Sequence, residues 1–254
     1  MQKKNLVLVF IWFLTMSLQC SIRINAQDMH DSTLRFPIVG VQGGIFLPVA
    51  ALARTYGYNF TIGASYWRKT KYDVLLGIEY NYIFSDQVKI NPIDSIVNSS
   101  GYIINSVGQF TSVQVYERGH FAMLKAGKIF PGIGPNPSSG LMVKGGVGFW
   151  LTQIYYYWNG TVPPQLTGDY IKGYDRLSYG PAFSESFGYI HFSNNHRLNF
   201  SLELEVDEGF LKDVRAYSYD IRQAENNTQF DLSFGLKAAW YFPLYKRAKE
   251  KYYY

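Results

Sequence analysis

The chain has 254 residues, 47% of them hydrophobic and only 17% charged, with a formal net charge of +5. A single cysteine excludes a disulfide framework. Beyond the first twenty residues no run approaches the roughly eighteen apolar residues of a spanning helix, which excludes a helical membrane protein. The 22 Tyr, 18 Phe and 23 Gly suit a sheet with aromatic borders and closely packed strands.

The N-terminal stretch has the pattern of an export signal. Lys3 and Lys4 are followed by an apolar run from Leu6 to Leu18, and Ile24-Asn25-Ala26-Gln27 offers a small residue at a cleavage point. The run is too short to span as a helix, so residues 1–26 read as a signal peptide and 27–254 as one domain. Cys20 offers the alternative of a lipoprotein signal, but Gln19 before it is larger than that cut accepts. Cleavage after Ala26 removes the only cysteine. It also removes Lys3, Lys4 and Arg23, lowering the charge from +5 to +2, so the basicity that would favour nucleic acid largely disappears.

Eight strands follow, each read from a period of two, because successive side chains leave opposite faces. Val39, Val41, Ile45 and Leu47 open the first, and Tyr58, Phe60, Ile62 and Tyr66 the second. A tight Lys69-Thr70-Lys71 turn leads to Tyr72, Val74, Leu76, Ile78, Tyr80, Tyr82 and Phe84 in the third. In Glu117–Phe130, Lys125 favours odd positions inward and Ala122, Leu124 and Ala126 outward. Leu141, Val143, Val147, Phe149 and Leu151 give the fifth, opposed by Lys144 and Trp150. Tyr179–Phe192 is the sixth, with either facing open. Leu198, Phe200, Leu202, Leu204 and Val206 form the seventh. Phe230, Leu232, Phe234, Leu236, Ala238, Trp240 and Phe242 form the last. Thirteen residues is long for a soluble strand but suits a tilted strand crossing a bilayer, which takes about nine to eleven. A half-buried strand of a soluble sandwich is the competing reading.

An even number of antiparallel strands points to an all-β, eight-stranded transmembrane barrel. Short connections at Lys69–Lys71 and Ser193–Arg197, and a medium one at Pro131–Gly140, alternate with long ones at Ser85–Thr111, Tyr155–Ser178 and Gly209–Gln229. That alternation predicts short periplasmic turns, long extracellular loops and both termini in the periplasm, beside the basic Lys246–Lys251 tail.

The inward faces carry Asp73, Glu79, Lys125, Lys144, Glu203, Glu205, Asp207, Asp231 and Lys237. Eight strands leave an interior that side chains fill, so these charges are expected to pair as a lumen network. A narrow passive channel is the other use of such a lining. His30, His120 and His196 have no ligand spacing; no metal and no cofactor are expected.

His191-Phe192-Ser193-Asn194 resembles the His-x-Ser-Asn motif of outer-membrane lipid A deacylases, in which the His activates a Ser nucleophile. The resemblance implies a hydrolase using His191 and Ser193. Against it, the motif runs into the polar Asn195-His196-Arg197 turn on the periplasmic side, away from outer-leaflet acyl chains.

Gly168-Asp169-Tyr170-Ile171-Lys172-Gly173-Tyr174-Asp175-Arg176-Leu177, Phe187-Gly188-Tyr189, Arg197-Leu198-Asn199-Phe200 and Tyr252-Tyr253-Tyr254 resemble a family of small outer-membrane barrels of Bacteroidota. That resemblance implies a non-enzymatic accessory role, of the kind that small barrels fill in type IX secretion and gliding machines. The implied partners are outer-membrane lipid and envelope proteins. Lys172, Tyr174, Asp175 and Arg176 either pin their long loop, Tyr155–Ser178 (the third extracellular one, counting the connection between the first two strands), over the barrel or touch a partner.

Overall fold

The computed structural model describes residues 35–193, 198–215, 217–224 and 228–244. The signal-peptide boundary at Ala26, Cys20, His30, His196 and the Lys246–Lys251 tail lie outside them. Among the described residues there are nine strands: β1 (Phe36–Ala50), β2 (Asn59–Lys69), β3 (Val74–Ser85), β4 (Tyr102–Ile104), β5 (Phe110–Pro131), β6 (Gly140–Trp158), β7 (Ser178–Phe192), β8 (Asn199–Asp213) and β9 (Thr228–Pro243). Every pairing is antiparallel, and β1 pairs with β9 while β3 pairs with β5 across the short β4. The eight long strands therefore close on themselves, which leaves no edge along the wall. β4 stands apart, a three-residue strand folded on the extracellular extension of β5.

Parity decides what each face meets. Val41, Leu47, Ile62, Leu76, Ile78, Leu202, Leu204 and Leu236 are exposed on the outside, Leu124 as much as 63%. On the inside Glu79 is 2% exposed and Lys69, Lys144, Glu203, Glu205 and Lys237 are equally buried. A soluble sheet has the opposite distribution, so the sandwich reading fails. A closed barrel satisfies every backbone donor and acceptor of the wall internally, as hydrocarbon requires. Among the described residues no helix is long and apolar enough to cross a membrane; strands do the crossing.

β5 turns its odd positions inward, as Lys125 suggested, and β7 turns its even ones inward: Ala182, Ser184, Ser186, Ile190 and Phe192 are buried. Three loop boundaries need correction. β5 begins at Phe110 with β4 inside the preceding loop, β6 continues to Trp158, and β8 continues to Asp213 with β9 starting at Thr228. Past the hydrocarbon belt both faces meet polar or packed surroundings, so alternation fades. The backbone ladder, which does not depend on side chains, goes on.

Side chains fill the interior in layers. An apolar layer at the periplasmic end contains Phe36, Ile38, Trp67, Leu75, Ile129, Met142, Ile190, Phe192, Ala239 and Tyr241. Charged residues occupy the middle. A larger apolar layer at the extracellular end joins strand residues Ile83, Phe121, Met123, Trp150, Ile154 and Leu211 to loop residues Leu52, Tyr56, Ile93, Leu166 and Tyr174.

Candidate functional site

Glu79 on β3 is the hub of the middle layer. It meets Lys125 at 2.9 Å, Lys237 at 2.9 Å and Lys144 at 3.3 Å. Lys125 also meets Glu205 at 3.0 Å, Lys144 meets Glu203 at 2.6 Å, and Lys237 closes the ring onto Glu205. The Ser186 and Ser201 hydroxyls donate to Glu203 at 3.0 and 2.6 Å, and the Lys144 ammonium sits 4.5 Å from the Trp67 ring. Three lysines and three glutamates thus compensate each other, the arrangement in which buried charges are tolerated.

Glycines make the room. Lys125 lies opposite Gly146 and Lys144 opposite Gly127. A Cβ on Gly146 would stand 2.4 Å from the Lys125 Cγ, and one on Gly127 2.5 Å from the Lys144 Cγ. Each lysine stem crosses its neighbouring strand where that strand has no side chain.

The remaining inward charges lie elsewhere. Asp73 is at the periplasmic turn, at φ 60°, and binds Lys69 at 2.6 Å, so it is no part of the central ring. Asp207 sits beside Ser184, one row above the ring, and its Oδ1 has no hydrogen-bond donor. Asp231 is higher still and accepts from the Leu52 backbone. Sequence reasoning missed Glu117, which is fully buried and accepts from Asn59 Nδ2 at 3.2 Å on both oxygens. Its odd number, shared with Lys125, was the available signal.

His191 and Ser193 sit at the periplasmic end of β7. The His191 ring stacks on Phe200 at 5.1 Å, on the outward face, with Tyr189 at 6.4 Å. The Ser193 backbone donates to Asn199 Oδ1 and to the Leu198 carbonyl, which closes the turn into β8. Asn194, the last residue of the motif, lies outside the described residues. Among those described, no group of three or more His, Cys, Asp or Glu is placed to hold a metal ion.

The Lys172–Leu177 block is the keystone of a cap. The Tyr174 carbonyl accepts from the Tyr156 hydroxyl at 2.8 Å, and the Asp175 carbonyl from the Ile154 N–H at 2.7 Å. Among the described residues two ion pairs reach the fourth extracellular loop, between β8 and β9: Arg215 Nε donates to Asp175 at 2.8 Å and Arg176 Nε to Asp220 at 3.0 Å. The Tyr174 ring lies 5.3 Å from that of Tyr219, which also covers Gly173 so closely that a Cβ there would overlap it. Hydrogen bonding to Asp175 raises the Arg215 pKa, and burial raises that of the Tyr174 phenol. Arg176 takes a φ of 45°, a cost met by these contacts. Tyr174, Asp175 and Arg176 therefore pin the loop, while Lys172 stays at the surface, bonded to Asp169 at 2.6 Å and holding that carboxyl below its usual range. The first two loops are stitched as well, Gly57 to the Gln87 carbonyl and Lys89 to that of Thr55.

No family model matches the chain, and no curated protein matches it. Solved structures do. Ail, the attachment invasion locus protein of Yersinia pestis, is 8% identical with a TM-score of 0.43, over 82% of this chain and 99% of that one. Neisserial surface protein A is 11% identical with a TM-score of 0.38, over 80% and 96%. The outer membrane protein OprG from Pseudomonas aeruginosa is 11% identical with a TM-score of 0.33, over 83% and 97%. The fold assignment rests on this chain's own strand pairing and its inverted polarity. A closed antiparallel barrel with an apolar belt is an outer-membrane architecture, and this chain is an outer-membrane barrel.

Proposed function

We propose that the chain is a non-enzymatic accessory barrel of the outer membrane, exported by the signal at residues 1–26, whose cap docks protein partners in an envelope assembly. The observation that carries this reading is a plugged lumen beneath an ordered cap with an apolar tip. The charge ring sits between two apolar layers, which disfavours conduction, and His191 is engaged in an aromatic stack. On the cap, the β4–β5 hairpin is shaped by Asn98 and Asn105, whose side chains accept from the backbone of Tyr102 and Gln109. Ile103 is buried beneath it, whereas Tyr102, Ile104, Val107 and Phe110 are exposed, Phe110 by 69%. Such a patch above the membrane suits a protein contact. A secretion or motility machine of the type IX kind, as the resemblance to Bacteroidota barrels implies, is the finer form of the proposal.

The test is affinity isolation of the tagged barrel from its native membrane, beside a Val107→Asp, Phe110→Asp variant that still folds. A stoichiometric envelope partner kept by the parent and lost by the variant is expected. Steady conductance in planar bilayers, or release of an acyl chain from lipid A that Ser193→Ala abolishes, would replace the scaffold by a channel or a hydrolase.

A further inference from the structure

The outer wall carries a groove of about 700 Å3 at the extracellular end of β6, β7 and β8, outside the lumen and bordered above by the cap residue Arg215. Its origin is local. Tyr179 pairs with Lys212, but regular pairing between β7 and β8 resumes only at Ala182 and Gly209. Between them stands Pro181, which has no N–H to give the ladder. The floor is Phe149, Pro181 and Phe210, all on the outward face of the belt, with Tyr179 at the upper edge.

Charge is arranged above that floor. Lys212 is exposed on the same face as Phe210, two residues nearer the extracellular side. The Arg215 guanidinium, held through Nε and Nη2 by Asp175, stands at the rim with 24% of its side chain exposed. Asp213 also borders the groove, but it is buried on the inward row of β8 and its carboxylate accepts from the Arg215 backbone N–H. An apolar trough that ends under two cations, where the belt gives way to the loops, complements an amphiphile whose anionic group lies at the membrane surface.

We propose that this groove binds a phosphorylated glycolipid of the outer leaflet. An acyl chain lies along Phe149, Pro181 and Phe210, and a phosphate is met by Lys212 and the rim of Arg215. The inference goes beyond the scaffold reading and does not depend on it. Lys212 is the residue to test, because Arg215 also anchors the cap. Retention of a bisphosphorylated lipid A by the purified full-length barrel in neutral detergent is measured by native mass spectrometry, against the same lipid dephosphorylated. Lys212→Glu should weaken retention of the phosphorylated lipid about tenfold and leave that of the dephosphorylated one unchanged, with Lys172→Glu as charge-matched control. Heat-modified gel mobility verifies folding of each variant. Equal retention of the two lipids, an equal loss in Lys172→Glu, or displacement by inorganic phosphate alone would overturn the assignment.

Discussion

Two ionic networks among the described residues, the lumen ring and the cap latches, are of different kinds. The lumen ring of Glu79, Glu203, Glu205, Lys125, Lys144 and Lys237 is built by five strands and fully shielded from water. The latches of the cap, Asp175–Arg215 and Arg176–Asp220, join two loops and keep partial access to solvent. In the first, each charge is needed because its neighbours have no water to fall back on. In the second, water can replace a lost partner, so the latch tunes local order and leaves the barrel standing.

The largest effect should follow removal of the hub. Glu79→Ala leaves three buried ammonium groups sharing two glutamates, at a cost of about 3–5 kcal/mol. Urea unfolding followed by gel mobility should show loss of the whole barrel, because the ring spans the strands that close it. A shift of well under about 1 kcal/mol would mean that water reaches the ring and that the two networks are of one kind.

Cutting a latch should cost less and act elsewhere. Asp175→Asn replaces a charge-assisted pair that is partly solvated, which is worth about 1–2 kcal/mol. Proteolysis should quicken in the third and fourth loops while the barrel's urea midpoint stays within error. A midpoint that falls with the loops would make cap and barrel one cooperative unit and erase the contrast.

The two networks also differed in how readable they were. The lumen ring stands out in sequence because a strand fixes parity and one apolar face identifies the other, except in β5, where Lys125 itself was the guide to the facing. Lys237 among Leu232, Phe234, Leu236 and Trp240 needs no knowledge of the rest of the chain. Glu117 escaped because it lies where β5 leaves the belt and Arg118 and His120 blur the outer face. The latches had no such rule: Asp175 and Arg215 are forty residues apart, and the loops that hold them follow no period. Only folding shows that Asp175 and Arg176 face the fourth loop while Lys172 faces water. The cap's apolar layer was hidden for the same reason, with Leu52, Ile93 and Leu166 each in a different loop.

The smallest effect, of opposite sign, is expected from a carboxylate in neither network. Glu185 projects from β7 to the outside, between Phe183 and Phe187 and near the middle of the strand's outward row. Glu208 on β8 also faces out and is close enough for the two charges to repel. A lipid-facing charge lowers barrel stability, acids by less than the roughly 2–4 kcal/mol of a mid-bilayer Arg or Lys. Glu185→Leu removes one such charge, relieves Glu208 and adds apolar surface to the belt. The isolated barrel in lipid should therefore gain about 1 kcal/mol in a urea titration, while Glu79→Leu loses several. A loss of stability on Glu185→Leu would place that carboxylate in a favourable contact of its own, and the rule that charge is tolerated inside this wall but not outside it would fail.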